Sequence, residues 1–215
     1  TGLPKGVMWR HEDLFFGALG GAANGGEPVT TPHDVASRCV ANRMRVVLAC
    51  PLMHGTAHWM ALTTLLIGGS VVVAPTTHFD AAELLALVEA RRASHVIIVG
   101  DAYALPIAET LARSDAPDLD SLRVVMSGGA VLSPAVKARL VEQLPGAIVV
   151  DGYGASETGG QGQAVFALGA DIAPTTFAIG SDTEVLGDDL RPTPPGIVGR
   201  VARRGHIPFG YFHDP

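Results

Sequence analysis

The chain has 215 residues, 47% of them apolar and 17% charged, which is enough apolar surface to fold and excludes a disordered chain. Fifteen basic against 21 acidic side chains leave a net charge of −6, which argues against a general nucleic-acid surface. Two cysteines, Cys39 and Cys50, cannot build a disulfide framework; they read as buried small hydrophobes in a reducing cytoplasm.

No charged-hydrophobic-small leader opens the sequence, which starts on Thr1 and stops on Pro215 without a tail-like composition. It is therefore expected to be a piece of a longer protein. The opening Thr1-Gly2-Leu3-Pro4-Lys5-Gly6-Val7 places two glycines around a lysine, so that backbone amides and an ammonium could meet an anion. It lacks the spacing of a Walker A loop. Gly20 to Pro28 is the softest internal stretch.

From Arg45 to Val150 strand and helix patterns alternate, the signature of a parallel sheet with helices on its faces. The strands start at Arg45, Ser70, His95, Leu122 and Ala147, each a short β-branched run fit for burial on both sides. Trp59 to Pro75 is uncharged but too short to span a bilayer, and its Gly-Gly-Ser break divides it into a buried helix, a turn and a strand. Ala81, Leu84, Leu85 and Val88 form one helical face behind an Asp80–Glu83 capping box, and Asp101 is expected to cap the next helix. Ser133-Pro134 opens a third helix with Val136, Leu140, Val141 and Leu144 as its stripe. Beyond Gly160 the helical period gives way to short strands, among them Glu184-Val-Leu and Gly199-Arg-Val-Ala-Arg.

Chemistry is expected at the carboxyl ends of the strands, where open α/β sheets bind ligands. Asp151 to Gly160, read as a loop after the last parallel strand, combines four glycines for backbone access, the aromatic face of Tyr153, the hydroxyls of Ser156 and Thr158 and the carboxylates of Asp151 and Glu157. That set suits a nucleotide, with Tyr153 against a base, Ser156 at a phosphate and Glu157 on a hard cation. Ser127-Gly128-Gly129-Ala130 offers a small-residue wall but misses the dinucleotide fingerprint. His54 and His58 share a helical spacing without the glutamate of a metalloprotease, and His58 is expected to pack or cap. Gly154-Ala-Ser-Glu-Thr lacks the closing glycine of a serine-hydrolase elbow.

Taken in order, these segments resemble the adenylate-forming superfamily of acyl- and aryl-CoA synthetases, luciferases and peptide-synthetase adenylation domains, most closely the fatty-acyl-CoA synthetases. The match runs through T-G-x-P-K-G-V at Thr1 to Val7, P-x-x-H at Pro51 to His54, the small-residue segment at Ser127 to Ala130 and G-Y-G-x-S-E at Gly152 to Glu157. It ends on Gly199-Arg200, Arg204-Gly205 and Gly210-Tyr211.

The resemblance implies roles. Lys5 with Thr1, Gly2 and Gly6 would hold the ATP phosphates; Tyr153 and the Gly128-Gly129-Ala130 wall would sandwich adenine, with Asp151 near its amine and Gly152 and Gly154 alongside. Ser156 and Glu157 would bind phosphate and Mg²⁺, and His54 would line the acyl end. The implied architecture is α/β, a mostly parallel sheet flanked by helices, with residues 1–160 as nucleotide- and acyl-binding core and residues 161–215 as a β-rich extension of the same large domain.

The implied activity is that of an acid-thiol ligase, which activates a fatty or other lipid-like carboxylic acid with ATP and passes the acyl group to coenzyme A. The serine and threonines that relatives carry before the position of Thr1, the ribose-binding aspartate, the hinge and the small C-terminal domain are absent from these residues, so the piece alone is expected to be inactive. A non-catalytic nucleotide-binding module, or an enzyme that adenylates amino acids or loads a carrier protein, stays open. So do peripheral membrane contact and a homodimer.

Overall fold

The computed structural model describes residues 5–23, 27–41, 44–74, 78–172 and 175–213. Its centre is a seven-stranded sheet built from β2 (Arg45–Leu48), β3 (Ser70–Val73), β4 (His95–Ile98), β5 (Val124–Gly128), β6 (Ile148–Ala155), β7 (Gly159–Phe166) and β8 (Ala178–Ile179). The spatial order is β3-β2-β4-β5-β6-β7-β8. The first five strands pair in parallel, and β7 and β8 join antiparallel.

Helices α3 (Gly55–Leu66), α4 (Ala81–Arg91), α5 (Gly100–Leu111) and α6 (Pro134–Gln143) make the crossovers between the parallel strands. Successive side chains on a strand face opposite ways, which divides the apolar runs between two cores. Val47, Val96, Ile98, Val125 and Val149 meet the stripes of α4, α5 and α6 on one face. On the other, Val46, Leu48 and Ile97 meet Ala57 and Ala61 of α3. Leu84, Leu85 and Val88 of α4 are buried as their spacing requires, each giving roughly 1.5–3 kcal/mol of transfer free energy.

The chain leaves β2 for β3 on one side and returns to β4 on the other. That reversal opens a crevice beyond the carboxyl ends of β2 and β4. Two smaller pairs flank the sheet: β9 (Thr183–Leu186) with β10 (Arg200–Arg203), and β1 (Val7–Met8) with β11 (Gly210–Tyr211), both antiparallel. Between β1 and β2 lie α1 (His11–Asp13), a π turn over Leu14–Ala18, a 3-10 turn over Gly20–Ala22 and α2 (Pro32–Ala41). Residues 24–26 of the stretch read as soft fall outside the described residues.

Three local expectations change. The segment from Asp151 to Ala155, read as a loop, is strand: β6 continues to Ala155 because β7 folds back on it, with a register shift at Tyr153/Gly154, and Ser156–Thr158 is the turn. Asp101 lies inside the first turn of α5 behind Val99, and its Oδ1 instead accepts from the Ser133 amide at 2.8 Å. Ser133 occupies the N-cap of α6 but its hydroxyl makes no capping bond. The Asp80 cap forms as expected, its Oδ1 accepting from the Glu83 amide at 2.9 Å.

Candidate active site

Two cavities open where β2, β4, β5 and β6 end. The smaller, 390 Å³, is walled by Gly129, Ala130, Tyr153 and Phe177, with Lys137 and Asp151 among its lining residues. The larger, 930 Å³, runs along α3 past Cys50, His54, Trp59, Met60, Tyr103 and Met126. Gly129, Gly152, Tyr153 and Gly154 line both. Both volumes lie in the usual range for small-molecule sites.

Glycine is required at the junction. Gly129 has φ +86°, where a side chain is strained, and a Cβ there would come within 3.2 Å of Thr56 Oγ1. A Cβ on Gly154 would collide with the Gly159 carbonyl oxygen across the hairpin. Backbone can therefore lie directly against a ligand at this point. Buried Ser127 takes no part in the wall; its hydroxyl accepts from the Gly100 amide at 2.9 Å and ties the end of β5 to α5.

The Ser156–Glu157 turn is held from two distant parts of the chain. Trp9 Nε1 donates to the Ser156 carbonyl at 3.1 Å, and Tyr211 donates its hydroxyl proton to Glu157 Oε1 at 2.9 Å. Lys5 Nζ stands 4.9 Å from the Tyr211 ring centroid, a cation–π contact. The amino-terminal lysine and the glutamate corner thus share Tyr211 as a neighbour, although 151 residues of sequence lie between Lys5 and Glu157. Gly6 belongs to the same clasp, its carbonyl accepting from the Phe212 amide at 2.7 Å. Thr1 and Gly2 lie outside the described residues.

His54 is the N-cap of α3 and lines the larger cavity. His58 was expected to pack or cap; it is exposed on α3. Gly128 reaches only the larger cavity and Ala130 only the smaller, so the expected wall serves both. Tyr153 is half exposed with its ring centroid 5.8 Å from that of Phe177.

Asp151, for which the resemblance implies a base contact, lines the smaller cavity together with Lys137. Lys137 Nζ lies 2.7 Å from its Oδ2, donates to Thr175 Oγ1 at 2.8 Å and stands 4.7 Å from the Phe166 ring centroid. Sequence reasoning missed Lys137. The signal was present, since position 137 precedes Leu140 and Val141 by three and four residues and so shares their buried face. Arg203 was also missed: its guanidinium donates to the Thr158 and Gly160 carbonyls, both at 2.6 Å, and braces the hairpin turn. Burial pulls its pKa below the ordinary arginine value, with nearby Asp182 opposing. Burial likewise pushes the Cys50 thiol up.

The likeness to known proteins extends over the whole chain. The chain is 41% identical over 221 residues to the medium-chain acyl-CoA ligase Mig of Mycobacterium avium, covering 100% of this chain and 40% of that protein. It is 37% identical over 222 residues to a medium/long-chain-fatty-acid–CoA/3-oxocholest-4-en-26-oate–CoA ligase of Mycobacterium tuberculosis, again covering 100% of this chain and 40% of that protein. The chain therefore spans about 40% of the length of the curated relatives it matches. In fold it is similar to the luciferase-like enzyme of the mealworm Zophobas morio, with a TM-score of 0.73 at 19% identity, over 100% of this chain and 48% of that one. The profile of the AMP-binding enzyme family matches residues 1–212, and the chain belongs to that family.

Proposed function

We propose that the chain is the nucleotide- and acyl-binding core of an ATP-dependent acyl-CoA synthetase acting on a medium- or long-chain or polycyclic carboxylic acid. The observation that carries this reading is the pair of cavities joined at Gly129 and Gly152–Gly154. The smaller suits a nucleotide between small residues and Tyr153. The larger suits an apolar acid, since Trp59, Met60, Val99, Tyr103 and Met126 line it and no Asp or Glu is among its described lining. An amino-acid substrate would leave its ammonium unpaired there. The names of the relatives, which are ligases of fatty and steroid acids, agree.

In the first step the substrate carboxylate attacks the α-phosphorus of ATP, a phosphorus–oxygen bond forms, and pyrophosphate leaves. In the second, the thiol sulfur of coenzyme A attacks the acyl carbonyl of the mixed anhydride, AMP leaves, and the thiol proton is lost. No protein nucleophile is needed. The difficulty is bringing two anions together, so the site works by positioning and by charge compensation. Lys5 brings positive charge to the phosphates, Ser156 offers a hydroxyl to them, and the glycine junction lets backbone approach the reacting atoms. His54 stands at the acyl side. Glu157 is a hard oxygen donor on the turn, the chemistry Mg²⁺ takes when phosphates supply its remaining ligands. When bound, the ion neutralises phosphate charge.

Residues 1–160 form the core in this reading and residues 161–215 extend the same large domain, in the cytoplasm. Among the described residues no helix is long and apolar enough to cross a membrane. The test is pyrophosphate exchange into ATP by a protein of the relatives' full length carrying this sequence. Exchange is expected only when an acid such as decanoate is present, and Lys5→Ala or Glu157→Ala should reduce it by about 10²-fold. Exchange that ignores the acid, or none at all, removes the proposal.

A further inference from the structure

The turn that carries Glu157 is fixed on both sides of that residue. Trp9 Nε1 donates to the Ser156 carbonyl at 3.1 Å, and the Arg203 guanidinium donates to the Thr158 carbonyl at 2.6 Å. With the neighbouring carbonyls held, the moving part left is the Glu157 side chain, which is exposed and must lose rotamer freedom before it can hold anything. Tyr211 supplies that restraint, its hydroxyl donating to Glu157 Oε1 at 2.9 Å. Among the described residues the other oxygen, Oε2, makes no hydrogen bond.

The fold does not require that hydroxyl. Tyr211 pairs with Val7 in the β1–β11 ladder through its backbone, which any residue could do. Its ring centroid stands 4.9 Å from Lys5 Nζ, and a phenylalanine ring would offer an ammonium a similar face. A hydrogen bond between exposed groups adds little to stability, because water competes for both partners. The hydroxyl is thus surplus to strand pairing and to the lysine contact. What it adds is the orientation of one carboxylate.

From this we infer that Tyr211 is a positioning residue for the hard cation of the phosphate site. Its hydroxyl pins Glu157 through Oε1 and leaves Oε2 for the ion, and its ring seats Lys5, the other charged group of that site. The inference rests on the phosphate-site reading of Lys5 and Glu157 and deepens it. A group that hydrogen-bonds a ligating carboxylate sets its direction, and loss of such a partner weakens metal binding by roughly 10–100-fold. One residue thereby gives the lysine and the glutamate a common support, through two contacts that can be removed separately.

The experiment measures ATP binding by calorimetry, with Mg²⁺ and with EDTA, to a protein of the relatives' full length carrying this sequence. No acid is added, so nothing turns over. The wild-type protein should bind ATP more tightly with Mg²⁺ than with EDTA. Tyr211→Phe removes one oxygen atom and keeps the ring. In this variant the gain in affinity from Mg²⁺ should shrink by about tenfold, the lower end of that range, while binding in EDTA and the thermal midpoint stay as in the wild type. Tyr211→Leu removes the ring too, and should weaken binding in EDTA as well, because Lys5 loses its seat.

A tyrosine that served only the fold would, when changed to phenylalanine, lower the thermal midpoint and weaken ATP binding alike with and without Mg²⁺. That result, an unchanged gain from Mg²⁺ in folded Tyr211→Phe, or a wild-type protein that gains nothing from Mg²⁺ overturns the inference while acid-dependent exchange still upholds the ligase reading. Binding in EDTA by Tyr211→Leu equal to that of the wild type overturns the part assigned to the ring. A wild-type protein that neither binds ATP nor exchanges pyrophosphate removes the inference and the ligase reading together.

Discussion

Single residues differ in how openly the sequence declares them. Asp80 could be read as a helix cap because its partner, the Glu83 amide, lies three positions away and a cap needs nothing else. Lys137 could not be read so directly, because what makes its burial tolerable, Asp151, Phe166 and Thr175, comes from three later segments. Gly154 lies between these cases. Its place in a glycine-rich run was visible, but the reason for it is the carbonyl of Gly159 across the hairpin. Gly154→Ala should force that turn apart and cost roughly 1–3 kcal/mol, as overpacking does. Urea unfolding should show the lower midpoint, and an unaltered midpoint would mean that the hairpin accommodates a methyl group.

At the scale of elements, the alternating strands and helices from Arg45 onward were legible because local periodicity and burial on both faces leave few alternatives. The extension of β6 through Gly152-Tyr153-Gly154 was not, since glycines favour a turn locally and only pairing with β7 makes them strand. The β1–β11 pair was also invisible, its partners lying at opposite ends of the described chain. A second clasp supports that pair: Asp13 accepts from Arg10 and pairs with His206 at 2.9 Å, while Phe16 stacks on the His206 ring. Hydrogen bonds from Arg10 and then His206 hold the Asp13 carboxyl below its usual range.

A depressed carboxyl pKa in the folded state gives stability that is present above the unfolded value of about 3.9 and is lost as the pH falls through the folded value. The share of stability carried by this carboxylate should therefore hold steady from neutral pH to about 5 and drop below about 4, on top of the loss below about 6.5 that half-buried His95, whose pKa burial lowers, contributes. Asp34, bonded by Thr31 and Thr30, and Asp115, beside Arg113, add to the same acid limb. Asp13→Asn should lower stability at neutral pH and flatten part of that limb. An Asn variant with the same acid slope as the wild type would show that the clasp contributes nothing.

For the whole molecule, the decisive feature is the reversal of strand order between β2 and β4, which places the Cys50–Thr56 segment and the start of α5 beside one large cavity. Cys50 lies in its wall, buried, with a thiol pushed up by that burial. A small alkylating reagent should modify Cys50 slowly at neutral pH, because the thiolate is the reacting form. Saturating decanoate should slow it further by filling the cavity, with half-buried Cys39 as the internal reference. Equal modification of Cys50 with and without the acid would place the acid elsewhere. By itself the sequence determined the α/β class, the approximate starts of the five parallel strands, the cap at Asp80 and the ordered motifs, all of which depend on neighbours within a few residues or on residue type alone. Tertiary structure decided which of those motifs meet: that Lys5 and Glu157 share Tyr211, that Asp151 is paired with Lys137, and that two cavities join at four residues of the glycine-rich wall. Distances between groups far apart along the chain are set by strand order and pairing, which local pattern does not encode.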